Sequence, residues 1–154
     1  KIAPRRFGWL TTEPYAVLLH ATSGDYKLWP EQHWVALGHA LNAAGLACVL
    51  PGGSSRERDR SARIAGALRS AIVPPALGLE ELAGLFAGSR VVTGVDTGLT
   101  HLAAALGVAV VGIYRATDPA ATGIYGCPRA VNLGGMGKLP DVAQVLAAIG
   151  RIST

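Results

Sequence analysis

The stretch "RVVTGVDTGLTHLAAALGVAVVGIY", Arg90 to Tyr114, decides the fold. An apolar run (90–95) is followed at once by Asp96, Thr97 and Gly98, then by a helical pattern ending at Gly107, then by a second apolar run (108–114). Two continuous apolar strands joined through a helix read as parallel strands of a sheet covered on both faces. A plain strand-to-helix turn needs only a glycine and a cap. Here several polar groups crowd between two apolar runs.

The same alternation extends in both directions. Upstream, "YAVLLH" (15–20) reads as a buried strand, and Pro30 opens a helix through "EQHWVALGHALNAAG" with Gly45 as its stop. "LACVLP" (46–51) is the next strand, and "GGSSRERDRSARIAGALR" gives a glycine loop, a serine cap and a helix. "AIVP" (71–74) is a short strand and "LEELAGLFAGS" (79–89) a helix. Downstream, "RAVNL" (129–133) is a strand and "PDVAQVLAAIG" (140–150) the closing helix. The pattern predicts a doubly wound, Rossmann-like α/β domain over 15–150 with a parallel sheet of about six strands. Residues 1–14 read as a linker or boundary segment.

Composition narrows the function. The chain has 154 residues, enough for one core. Its two cysteines form neither a disulfide framework nor a metal-ligand spacing, which points to a reducing compartment. The net charge of +4 suits a phosphate-bearing ligand or an anionic membrane surface, and equally an inert domain. Basic residues cluster only in "RERDR" (56–60), where acids interrupt them, which reads as a solvated helix face and not as a nucleic-acid patch. The longest apolar run, about 102–114, is too short to span a bilayer.

Ligands of doubly wound sheets bind beyond the carboxyl ends of the strands. Three connections there carry polar groups. In "VDTGLTH", the first N–H groups of the helix, those of Gly98, Leu99 and Thr100, together with the helix dipole make an anion site, with His101 one turn in. An ordinary Asp or Thr N-cap beside a satisfied histidine fits the same residues. In "HATSGDYKLWP" (20–30), Thr22, Ser23 and Lys27 supply hydroxyls and a cation suited to phosphate oxygens, or else a solvated polar loop. Trp29, before Pro30, reads as a hydrophobic staple. In "PGGSSRE" (51–57), Glu57 suits a sugar hydroxyl or is a first-turn acid favoured by the dipole. His20, His33 and His39 lack metal spacing and read as structural. A Ser23–His101–Asp96 triad has no nucleophile elbow to support it, and no glycine fingerprint follows the first strand, which disfavours a nicotinamide-dependent oxidoreductase.

Taken together, "HATSGDYKLWPEQHW", "LPGGSSRERDRS" and "GVDTGLTHLAAALGVAVVGIYRATDP" resemble the carboxyl-terminal half of lipopolysaccharide heptosyltransferases, glycosyltransferase family 9. The Asp-Thr-Gly-Leu-Thr-His form, followed by "TDPAATGIYG", is similar to the type I branch; the type II branch usually carries Asp-Ser-Gly-Leu-Met-His. The resemblance implies one half of a GT-B fold that binds ADP-L-glycero-D-manno-heptose, within an enzyme that transfers heptose with inversion to Kdo of lipid A. It implies no metal and no cofactor. It places the general base and the acceptor site in an amino-terminal domain outside this chain, so that this chain alone binds donor without transferring it. It implies a cytoplasmic location, peripheral at the inner membrane, with an anionic membrane surface as a further partner and no nucleic acid.

Carried over residue by residue, Thr22, Ser23 and Lys27 contact the diphosphate, and Lys27 stabilises the leaving group. Glu57 holds an adenosine ribose hydroxyl. Leu77 lies near adenine. Asp96 faces the heptose hydroxyls, and Thr97, Gly98 and Leu99 cradle phosphate with His101 assisting. Arg115 departs from the family, which commonly has Gly there. A stand-alone nucleotide-binding module without transferase activity is the alternative.

Overall fold

The computed structural model describes residues 3–21, 28–95, 97–114, 129–134 and 139–153. Among the described residues the elements are, in order, β1 (Tyr15–Leu19), α1 (Glu31–Ala43), β2 (Ala47–Val49), α2 (Ser55–Gly66), β3 (Ala71–Ile72), α3 (Leu79–Gly88), β4 (Val91–Val95), α4 (Gly98–Ala105), β5 (Val110–Tyr114), β6 (Ala130–Gly134) and α5 (Val142–Ile152). All strand pairs are parallel, in the order β3-β2-β1-β4-β5-β6. The doubly wound reading holds, with element ends shifted by a residue or two.

Period-two geometry sorts the core into two layers. Ala16 and Leu18 of β1 face one layer with Trp34, Leu37 and Leu41 of α1, Ile64 of α2 and Val145 of α5. Tyr15, Val17 and Leu19 face the other with Leu85 and Phe86 of α3 and Ala103 of α4. Because both faces are covered, every residue of β1, β4 and β5 is buried, and the sequence shows continuous apolar runs instead of alternation.

The helix ends follow local chemistry. Pro30 is the N-cap of α1 (φ −57°, ψ 143°), one position before the helix it was expected to open. Trp29 just before it meets Trp34 edge-on, ring centroids 4.9 Å apart, which is the expected staple. Its indole N–H also donates to Pro140 O at 3.0 Å and fastens the α1 entry to the α5 entry. Beyond the end of α1, Gly45 takes φ +88°, a left-handed conformation that Gly tolerates. Asp141 and Gln144 form a reciprocal capping box on α5.

Residues 3–14 contain no helix or strand, yet they lie against the α3 side. Phe7 stacks on Trp9 at 4.8 Å, both pack with Leu10 against the second core layer, and Arg5 N–H donates to Gly84 O. Among the described residues no helix is long and apolar enough to cross a membrane.

Candidate functional site

The strand order reverses between β1 and β4, which lie side by side at the centre of the sheet with Leu19 opposite Gly94. At such a switch point the loops leave in opposite directions and open a crevice. Residues 20–30 and 96–97 are the connections that follow these two strands in the chain.

On the β4 side, Gly94 is required by space. A methyl group there would overlap Thr100 Oγ1 and come within 3.0 Å of Leu19 Cβ. The buried Thr100 hydroxyl sits so close because it donates to Val95 O at 2.7 Å, pinning the first turn of α4 onto the end of its own strand. The N-cap of α4 is Thr97, in an extended conformation (φ −150°, ψ 158°), and its side chain makes no cap hydrogen bond. Thr97 O accepts from His101 N–H at 3.3 Å. Gly98 is exposed, with no atom within 4 Å of where a Cβ would be. Of the capping side chains the turn offers, Thr97 does not cap the helix, and Asp96 lies outside the described residues.

On the β2 side, Ser54 caps α2 and Glu57 completes a reciprocal box. Ser54 Oγ accepts from Glu57 N–H at 3.1 Å, and Glu57 Oε1 accepts from Gly53 N–H at 2.8 Å and Ser54 N–H at 3.4 Å. The Ser-x-x-Glu spacing is the signature of such a box, a signal the sequence carried. The carboxylate at 57 is thus held still by its own turn.

Between these turns lies a cavity of about 200 Å³ lined by Leu19, Gly52, Glu57, Ala76, Leu77 and Leu99, among others. Its walls come from the ends of β1 and β2, the β3–α3 connection and the first turn of α4. It is mostly apolar, and it is smaller than the roughly 300–1,000 Å³ of a complete small-molecule site. That size suits one flat part of a larger ligand. The structure brings together Glu57, Leu77 and Leu99 of the expected site, with Thr97 and Gly98 adjoining Leu99 and His101 on the same helix. Thr22, Ser23, Lys27, Asp96 and Arg115 lie outside the described residues.

One feature escaped sequence reasoning. "RERDR" read as a solvated face, but the Arg60 side chain is only 12% exposed. Its Nη1 donates to His20 O at 2.9 Å and to His20 Nδ1 at 3.1 Å, and its Nη2 donates to Trp29 O at 2.6 Å. Arginine has no acceptor, so His20 Nδ1 is the unprotonated nitrogen and Nε2 carries the hydrogen. Nε2–H then donates to Ser61 Oγ at 2.6 Å, and Ser61 donates onward to Pro51 O at 3.4 Å. Burial, aided by the neighbouring Arg60 charge, lowers the His20 pKa to about 4 and keeps the ring neutral. Glu31 reinforces the cluster with Oε2 at 3.5 Å from Arg60 Nε and a two-pronged pairing with Arg63. The Arg63 hydrogen bonds hold the Glu31 carboxyl below its usual range. The structural role expected for His20 is the one it has. Cys48 is a buried thiol, pushed up to about 12 by burial, and is therefore inert.

A doubly wound parallel sheet with an apolar recess at its switch point defines a Rossmann-like α/β domain. The comparisons with known proteins narrow this. The model of glycosyltransferase family 9 (heptosyltransferase) matches residues 3–148, and the chain belongs to that family. It is 44% identical over 113 residues to lipopolysaccharide heptosyltransferase 1 of Pseudomonas aeruginosa, covering 73% of this chain and 32% of that protein. The corresponding protein of Escherichia coli K12 is 44% identical over 112 residues, covering 73% of this chain and 35% of its own length. The chain thus spans about a third of the curated relatives it matches. Among solved structures, Escherichia coli heptosyltransferase WaaC with ADP superposes with a TM-score of 0.83 at 36% identity, over 89% of this chain and 43% of that one. Escherichia coli heptosyltransferase II shares the fold at TM-score 0.78 and 22% identity.

Proposed function

We propose that this chain is the donor-binding part of an inverting heptosyltransferase that uses ADP-L-glycero-D-manno-heptose and delivers the sugar to Kdo of lipid A. The observation that carries the proposal is the amino end of α4 beside the Leu77–Leu99 recess. One part of the site is apolar and takes a flat base, and the next is a row of backbone donors suited to an anion. A nucleoside diphosphate has that order of parts. The solved relative WaaC, whose structure is described as holding ADP, supports the reading, as does a second WaaC structure with ADP-2-deoxy-2-fluoro heptose.

In this proposal adenine lies between Leu77 and Leu99. Glu57, whose Oε1 is engaged by Gly53 and Ser54, offers its other carboxylate oxygen to a ribose hydroxyl. The diphosphate lies on the amides of Gly98 and Leu99, with Thr97 and His101 at the same helix end and Thr22, Ser23 and Lys27 supplied by the β1–α1 connection. Asp96 faces the heptose hydroxyls. An acceptor hydroxyl, its proton taken by a carboxylate outside this chain, attacks the anomeric carbon as the bond to the diphosphate oxygen breaks. The electron pair leaves with ADP. Fixed amides, a helix dipole and an ammonium stabilise that developing charge more in the transition state than in the ground state. The acceptor is membrane-bound, so the reaction belongs at the cytoplasmic face of the inner membrane.

Calorimetric titration of the chain with ADP-heptose, ADP and NAD tests the proposal, with Lys27→Ala and Asp96→Ala as controls. The expected order is ADP-heptose tighter than ADP, and ADP tighter than NAD. Lys27→Ala weakens both adenine diphosphates, and Asp96→Ala removes only the preference for the heptose. Preference for ADP with no gain from heptose would favour a stand-alone nucleotide-binding module. Equal weak binding of all three would leave neither reading standing.

A further inference from the structure

The wall of the recess formed by Pro75, Ala76 and Leu77 has little of the sheet behind it. It leaves β3, a two-residue edge strand paired with β2 through Ala71–Cys48 and Ile72–Val49. Pro75, Ala76 and Gly78 are exposed, so packing alone does not hold the segment. Its stiffness is local. Two consecutive prolines fix φ at 74 and 75 and keep Val73 and Pro74 extended. Such a rod needs only its ends fixed. At the far end, Gly78 N–H donates to Glu81 Oε1 at 2.9 Å, in the first turn of α3. At the near end, Arg58 Nη1 donates to the carbonyl of the buried Pro74 at 2.9 Å. Arg58 directly follows Glu57 on α2, and Glu57 lines the same recess. Gly52, another lining residue, packs on the same pair: a Cβ there would lie 3.0 Å from both Arg58 N and Glu57 C. One stretch of α2 thus fixes the carboxylate, the glycine turn and the proline wall relative to one another.

We propose that Arg58 is a positioning residue for selection of the base: by tying Pro74 to α2, it sets the width of the recess between Leu77 and Glu57 and so its fit to a purine. The inference rests on the donor reading given above. Arg58 touches no ligand in this role. It acts through the wall it holds. A purine reaches that wall, whereas a pyrimidine is one ring smaller and depends on it less. Losing the tie therefore falls on ADP and spares UDP, although the two share ribose and diphosphate. The tie is one donor on one carbonyl, so an ammonium serves in its place and an apolar side chain does not.

The test is a double-mutant cycle on ligand affinity in this chain, read by methyl and amide chemical shifts so that millimolar dissociation constants are measurable. Variants are Arg58→Met, Arg58→Lys, Leu77→Ala and the Arg58→Met/Leu77→Ala pair, each titrated with ADP and with UDP. The quantity read is the ratio of the two affinities. Any unfolded fraction lowers both equally and cancels, so a destabilised variant still reports. Arg58→Met is expected to weaken ADP about tenfold and UDP by less than about twofold, the scale on which an apolar pocket discriminates. Arg58→Lys should keep the ratio within about threefold of wild type, and Arg58→Met should lower it by less than about threefold once Leu77 is gone, as coupled residues do. Equal weakening of ADP and UDP by Arg58→Met, a lysine variant as impaired as the methionine one, or an undiminished Arg58→Met effect in the Leu77→Ala background would overturn the inference and leave the donor reading intact. A wild-type chain that binds ADP and UDP alike would overturn the inference and the adenine placement while leaving diphosphate binding in place. A wild-type chain that ignores ADP would overturn the donor reading and the inference with it.

Discussion

Replacing Gly94 by alanine tests the contact on which the shape of the site depends. The added methyl collides with Thr100 Oγ1 and lies 3.0 Å from Leu19 Cβ. Forcing such a group into a packed interior costs about 1–3 kcal/mol. The collision also breaks the buried Thr100–Val95 hydrogen bond of 2.7 Å, worth about 1 kcal/mol more. The expected total is about 2–4 kcal/mol. Thr100→Ala alone removes the donor from Val95 O and costs about 1–3 kcal/mol. In the double variant the hydroxyl that the new methyl would strike is gone and only the Leu19 contact remains. Its cost should therefore fall at least about 1 kcal/mol short of the sum of the single changes. Urea denaturation followed by circular dichroism measures all four corners of the cycle, provided the slope with denaturant stays constant. Strict additivity within about 0.5 kcal/mol, or a Gly94→Ala cost below about 1 kcal/mol, would show that β4 and α4 are not held together as described.

Stability should also fall on the acid side through His20. Its folded pKa is lowered to about 4 from an ordinary 6.5, chiefly by burial and then by the Arg60 charge. The unfolded chain therefore binds the extra proton first. The contribution is fully present above pH 6.5, declines as the pH falls toward 4, and amounts to at most about 3 kcal/mol. Denaturation midpoints across that range should show a steep acid limb that His20→Gln flattens; an unchanged limb would contradict it. Glu57→Ala removes half of the α2 capping box and should lower stability by about 1 kcal/mol in melting experiments while weakening ADP binding. In the complete enzyme, Lys27→Ala should reduce kcat/KM by an amount equivalent to about 2–4 kcal/mol, with normal kcat/KM as the refuting result.

Much of this molecule is legible from its residues. β1, β4 and β5 are readable because burial on both faces leaves uninterrupted Val, Ile and Leu runs, and α1 is bracketed by Pro30 and Gly45. The polar turn before α4 is readable because Asp96, Thr97 and Gly98 stand between two such runs. Arg60 is not readable, because nothing local separates it from Arg56 and Arg58. Its burial depends on the carbonyls that β1 and the α1 entry place beside α2, a tertiary fact. The recess is hidden for the opposite reason. Leu19, Ala76 and Leu77 look like any apolar residues, and only the sheet order makes them neighbours. Glu57 was read as either a ligand contact or a first-turn acid. The structure makes it a capping residue that also lines the recess, so one carboxylate serves the helix and faces the cavity.

The most direct measurement is an amide-resolved NMR titration of the chain with ADP. Binding at the start of α4 should move the Gly98 and Leu99 N–H resonances downfield, together with the Leu77 and Leu99 methyls, and saturate them with one dissociation constant. Saturable binding that leaves Gly98 and Leu99 unmoved, with shifts confined to other helix ends, would contradict it.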